Sequence, residues 1–238
     1  MNKTANIICS IVIWLMCCLC VRGQEPPGME LQKYQDAAGN RSILFRAQQA
    51  ARYTFPANGH PYWSGPAFER GDISFEGNIY HDVFLNIDAL AQRVLVQMID
   101  GPFAVALPPA LASSFTIGGS HFVGIGPGEE LPEGFYEVFG TGAHRVYKHV
   151  YKRLASSVSN VNGSAIGYYD DNYRTDLTHH FAYYKQYYFR DADGHFTPFK
   201  SRGALLRHFP ERRREIRRAV QGTDFDGFCE SVLNLADR

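Results

Sequence analysis

The stretch Arg70-Gly71-Asp72-Ile73-Ser74-Phe75-Glu76-Gly77-Asn78-Ile79-Tyr80-His81-Asp82-Val83-Phe84-Leu85-Asn86-Ile87 reads as a β-hairpin. Two runs of β-branched and aromatic residues, Asp72–Glu76 and Ile79–Ile87, flank Glu76-Gly77-Asn78, where Gly or Asn supplies the positive φ of a tight turn. The same rhythm continues at intervals of roughly ten residues, the pattern of antiparallel structure. Further strands are expected at Arg93–Ile99, Phe103–Leu107, Ser114–Ile117, His121–Ile125, Phe135–Phe139, Ala143–Leu154, Thr178–Arg190 and His195–Phe199. Asp191-Ala192-Asp193-Gly194 supplies another hairpin turn. In 143–154, Val146, Val150 and Leu154 would also suit a helix, but Tyr147, His149 and Tyr151 would line one strand face, and we read a strand. Long amphipathic helices do not alternate with these strands, which argues against a parallel α/β sheet. The expected class is mainly β, as a meander, sandwich or partly closed barrel, with a short helical C-terminal segment, α+β overall.

Upstream, Lys3 precedes an uncharged run from Ile7 to Val21 that is apolar apart from Ser10. The run falls short of the ~20 residues that span a bilayer. Val21-Arg22-Gly23 suits a signal cleavage site. The expected organisation is a signal peptide over 1–23, an extended or irregular region over 24–60, an antiparallel body over 61–200 with a polar loop at 156–177, and packed helices over 201–238. The 24 Lys and Arg balance the 24 Asp and Glu of the 238 residues, and removing residues 1–23 leaves a net charge of −2. That balance excludes a strongly basic nucleic-acid binder. Four of the five cysteines lie in the signal, so Cys229 would stand alone, without an intramolecular disulfide. Helical spacing with Phe225, Phe228 and Val232 makes it a buried thiol.

The C-terminal segment carries helix signals. Ser201 can cap a short helix with Leu205, Leu206 and Phe209 turned inward, and Phe209-Pro210 ends it. Pro210 and Glu211 suit the start of a second helix, with Gly222 past its end. Thr223-Asp224-Phe225-Asp226 resembles a capping box opening a third.

Several motifs recur in a recognisable order. The hairpin pattern Gly71-x-Ile73-x-Phe75-x-Gly77-x-x-Tyr80-x-Asp82-Val83 is followed by Leu85-Asn86-Ile87-Asp88 and Val94-Leu95-Val96. Then come Gly134-Phe135-Tyr136-Glu137-Val138, Tyr187-Tyr188-Phe189, and Ser201-Arg202, Leu205-Leu206, Phe209-Pro210 and Glu215-Ile216. Over about residues 60–222 this order resembles a family of exported β-rich proteins of Bacteroidetes bacteria. The resemblance implies export and C-terminal helices, and brings no activity or catalytic residues with it.

The chemistry is local. Thr178–Arg190 is tyrosine-rich, and strand alternation divides Tyr183 and Tyr187 from Tyr184 and Tyr188, so one face can be core and the other a stacking platform for sugars or a partner. Residues 200–222 hold eight basic residues against two acids. Arg212, Arg213, Arg214, Arg217 and Arg218 among them are candidates for contact with anionic lipid or an acidic partner. Asp176, His179 and His180 are candidate metal ligands, although neighbouring histidines on a strand point to opposite faces. The chain lacks a Gly-x-Ser-x-Gly elbow, a Walker motif and a His-Glu-x-x-His helix. The expectation is an exported, periplasmic or secreted protein, peripheral to the outer membrane and not integral to a membrane after cleavage. It would bind or build, without a cofactor, and meet an envelope protein, a glycan or an anionic lipid rather than nucleic acid. The alternative is a secreted hydrolase with a spatially assembled carboxylate or His/Asp site.

Overall fold

In a computed structural model of the chain, the residues described are 33, 37–39, 42–156, 179–220 and 224–237. Two units divide it, Met1–Ser42 and Ile43–Arg238, and the second carries all of the sheet. The expected signal peptide, residues 157–177 of the expected loop and Thr178 of the expected strand lie outside the described residues.

All ten expected strands form: β1 (Glu69–Phe75), β2 (Asn78–Asp88), β3 (Arg93–Gln97), β4 (Ala104–Leu107), β5 (Ala112–Ile117), β6 (Ser120–Ile125), β7 (Gly134–Phe139), β8 (Arg145–Ser156), β9 (His179–Arg190) and β10 (Phe196–Phe199). They make one open antiparallel sheet in the order β10-β9-β8-β7-β6-β5-β1-β2-β3-β4. The path is a meander with one exception, because β5 pairs with β1 rather than with β4.

The opening hairpin shows why these residues pair. Phe75 faces Asn78, so the loop is Glu76-Gly77, and these two residues, not Asn78, take the positive φ values of 49° and 78°. Both central positions of a type I′ turn require that sign. Farther along, Gly71 faces Val83 while Ile73 faces Tyr80, leaving an extra residue on β2. Asp82 absorbs it with φ 55°, and its N–H donates to Asp72 Oδ1 at 3.0 Å. Such a bulge reverses the alternation of its strand. Tyr80 on one side of it and Leu85 and Ile87 on the other therefore all face the core. Gly71 is required beside it: a Cβ there would lie 1.8 Å from the Thr116 carbonyl oxygen of β5.

The sheet buries two faces unequally. Its inner face holds Ile73, Phe75, Leu85, Val94, Val96, Phe115, Phe122 and Phe135, with Phe115 and Phe122 stacked at 5.0 Å. Beyond β7 the same face passes to Val146, Tyr187, Phe189 and Phe199, which the C-terminal helices cover. These are α1 (Arg202–Leu205), α2 (Arg213–Ala219) and α3 (Phe225–Ala236). Ser201 caps α1 by accepting the Ala204 N–H at 3.3 Å. Two helix starts differ from the sequence expectation. α2 begins at Arg213, leaving Pro210 and Glu211 in a preceding turn. Asp224 rather than Thr223 caps α3, accepting from the Gly227 N–H at 2.9 Å. The third residue of that helix is a glycine, so no reciprocal box forms. Cys229 lies on the buried side of α3, and burial pushes its thiol up to about 12. On the outer face, Leu131 covers a smaller cluster of Tyr136, Tyr147 and Tyr188.

Candidate functional site

β8 and β9 pair over twelve positions, from Arg145↔Arg190 to Ser156↔His179. β7 accompanies them only to His149, and β10 only to Tyr187. The seven pairs from Val150↔Lys185 outward therefore run past both neighbours as a two-stranded ribbon. Together the two strands contain Arg145, Lys148, Lys152, Arg153, Lys185 and Arg190, three histidines, and no carboxylate.

A strap crosses the inner face of this ribbon. On one side Asn58 N–H donates to the His179 carbonyl at 2.9 Å, and Phe181 N–H donates back to Asn58 at 3.1 Å. On the other side Trp63 N–H donates to Ile87, and Ala89 N–H to Pro61, each at 2.9 Å. The turn between β2 and β3 then takes over the β8 edge that β7 has left. Lys152 N–H donates to the Ala89 carbonyl at 2.8 Å, and Gln92 Nε2 donates to Val150 at 3.2 Å. These bonds curl an open sheet back on itself and satisfy an edge that would otherwise be exposed.

Beneath the strap the Lys152 ammonium donates to the His60 carbonyl at 2.8 Å and lies 3.3 Å from His60 Nδ1. Burial lowers its pKa to about 8, against the opposing pull of Asp88. Asp88 is itself occupied: Oδ2 accepts from the Tyr53 hydroxyl at 2.6 Å, and Oδ1 from the N–H groups of Leu90 and Ala91 at 3.0 and 2.9 Å. Burial and Asp88 push the Tyr53 hydroxyl up. This arrangement holds the strap and the turn in place, with Asp88 acting as an acceptor.

A second buried cation locks the helices on. Lys148 Nζ lies 2.7 Å from both Glu137 Oε2 and Asp226 Oδ2, and Tyr187 Oη donates to Asp226 Oδ1 at 2.7 Å. Burial opposes charge on Asp226, but the hydrogen bonds from Lys148 and Tyr187 outweigh it and hold the carboxyl below its ordinary range.

The outer face of the ribbon presents a row of rings graded from buried to exposed. Tyr136, fully buried, stacks on His149 at 4.6 Å; His149 lies 5.2 Å from Tyr151; Tyr151 stacks on Tyr184 at 5.2 Å with 11° between planes. The Arg153 guanidinium sits over both of the last two rings, at 5.4 and 5.5 Å. Gln92 Oε1 accepts from Phe135 N–H at 3.2 Å and from His149 Nε2 at 3.1 Å. An amide oxygen only accepts, so the proton of the neutral imidazole is assigned to Nε2. Burial lowers the His149 pKa to about 4. On the inner face Tyr183 lies 5.9 Å from Lys152 Nζ and 5.5 Å from Lys185 Nζ. Tyr183 and Tyr184 are each 40% exposed. Both thus offer rings whose faces are held by cations.

No family model, curated protein or solved structure matches this chain.

The sequence candidates separate in space. Tyr187 is buried against Phe225 and Phe199 with its hydroxyl on Asp226, and Tyr188 is buried against Tyr136, so both belong to the core rather than to a surface. Only Tyr183 and Tyr184 of the four reach solvent, on opposite faces. His179 and His180 begin a regular strand, and Asp176 lies outside the described residues. Neighbours on a strand point to opposite faces, so the two imidazoles do not converge. Among the described residues, Asp191, Asp193 and His195 form one grouping of possible ligand atoms, in the exposed turn between β9 and β10. Asp191 Oδ1 is used there to accept the His195 N–H at 2.9 Å. That bond organises the turn. Arg213, Arg214, Arg217 and Arg218 are exposed on α2, whereas Arg212 donates to Glu215 and to the Ala236 carbonyl. Tyr151, Arg153 and Lys185 were not singled out from the sequence; the lack of any acid in β8 and β9 is the signal that marks them. No helix among the described residues is long and apolar enough to cross a membrane.

Proposed function

We propose that the protein is an exported binding module of the cell envelope, and that its ribbon recognises an acidic glycan. The observation that carries this reading is the ring row Tyr136-His149-Tyr151-Tyr184 ending under Arg153. Stacked rings rooted in the core give a surface that loses little conformational freedom on binding. Tyrosine combines an apolar ring with a polar hydroxyl, which suits the mixed surface of a sugar. Arg153, over the exposed end of the row, adds positive charge suited to uronate carboxylates. Neither strand carries a carboxylate to compete. Export is supported by the charged and then apolar start of the chain.

The test is electrophoresis of the full chain through gels containing polygalacturonate. Retardation by polygalacturonate, with none by neutral dextran, is expected. Equal migration in the two gels would overturn the reading.

A further inference from the structure

A second surface stands apart from the ribbon, on α2. Its sequence, Arg213-Arg214-Glu215-Ile216-Arg217-Arg218-Ala219, turns Ile216 fully into the core. Arg213, Arg214, Arg217 and Arg218 are exposed and make no ion pair among the described residues. Glu215 lies 3.4 Å from Arg212, which precedes the helix.

This arrangement works against the helix. Arg213 and Arg217, and Arg214 and Arg218, are four residues apart, the spacing at which like charges repel. Arg213 and Arg214 also occupy the positive end of the helix dipole, where cations are disfavoured. A helix this short does not hold by its own propensity, so the burial of Ile216 keeps these charges together. Arg217 and Arg218 lie in the last turn, where cations suit the dipole, but Arg213 and Arg214 oppose the local fold and have no ion-pair partner among the described residues.

We infer that the outer face of α2 docks on an anionic phospholipid surface. Guanidinium groups match phosphate oxygens in paired hydrogen bonds, and here four of them are spread over about 8 Å of helix. The exposed residues of α2 from Arg213 to Arg218 are all charged. This face therefore lacks the aromatic or aliphatic centre that a protein interface uses. A chain balanced between 24 basic and 24 acidic residues does not favour nucleic acid. That the surface met is an envelope membrane rests on the export reading above. Amino-terminal sequencing of the exported protein tests export separately from lipid binding.

The test is flotation of the full chain with vesicles of phosphatidylcholine plus phosphatidylglycerol, and with vesicles of phosphatidylcholine alone, at low and high salt. Binding only to the anionic vesicles, and its loss at high salt, is expected. The R213Q/R214Q variant should bind about 25-fold more weakly, about fivefold for each arginine removed, while unfolding at no lower temperature than the wild type. The ribbon variant R153Q should float as the wild type does. Equal binding to both vesicle types, unchanged binding by R213Q/R214Q, or displacement from anionic vesicles by R153Q would overturn the proposal. So would retention by duplex DNA in place of the vesicles. If R213Q/R214Q unfolds at a lower temperature, the arginines serve the fold and the proposal fails.

Discussion

Lys148 Nζ lies 2.7 Å from Asp226 Oδ2 and joins β8 to α3 across 78 residues of sequence. The same ammonium neutralises Glu137 on β7, so one cation satisfies two carboxylates at the seam between sheet and helices. Removing one member of such a group leaves charge buried without a partner. Lys148→Met is expected to cost about 3–5 kcal/mol in urea unfolding. Adding Glu137→Gln and Asp226→Asn should recover much of that loss. A cost below about 1 kcal/mol would show that the seam does not depend on the ion group.

His149 sets the acid limit of the ribbon. Its folded value of about 4 lies below the ordinary 6.5. The unfolded chain therefore binds more protons between those values, and stability falls as pH drops through that window. The contribution is on the order of 3 kcal/mol, fully present above about pH 6.5. His149→Gln should flatten the unfolding free energy across the same window. An unchanged slope would mean that the imidazole is protonated at little cost.

Lys152 shows the corresponding behaviour at alkaline pH. Its folded value of about 8 lies below the ordinary 10.5. The folded protein loses this proton first, so stability rises as pH climbs from the folded value towards the unfolded one. Lys152→Met should remove the rise. Amide exchange at Phe181, whose N–H is held by Asn58, reports whether the strap stays in place in the variant.

Glu76 occupies a left-handed position that glycine and asparagine adopt more easily. Glu76→Asn should raise stability by about 1 kcal/mol, measured as a higher urea midpoint with the same slope. A loss of stability would show that the Glu76 side chain supports the turn in a way that its conformation does not reveal.

The strands were legible because their cause is local: alternation, β-branched and aromatic content, and turn residues placed at short, regular intervals. The bulge at Asp82 was not, since a reversal of alternation in β2 depends on how β1 is paired. Ser201 was readable as a cap because capping needs only the next three residues. Half of the tyrosine platform was misplaced for the opposite reason. Alternation divides Tyr183 and Tyr187 from Tyr184 and Tyr188, but which ends of those rows are covered depends on α3 and on Leu131, distant in sequence. The strap has no local signal, because residues 58–63 lack strand periodicity and are ordered by hydrogen bonds to two separate strands. Lys148 belongs to no motif and Asp226 only to a helix start; the fold alone brings them together.

The ribbon's role is tested most directly by titration calorimetry of the full chain with acidic galacturonate oligomers, comparing the wild type with Tyr184→Ala and with Arg153→Gln. Saturable heat is expected for the wild type, about 5- to 10-fold weaker binding for Tyr184→Ala, and weaker binding with a shallower salt dependence for Arg153→Gln. Wild-type affinity retained by both variants, or no heat from the wild type at any oligomer length, would contradict the assignment of the ribbon as the binding surface.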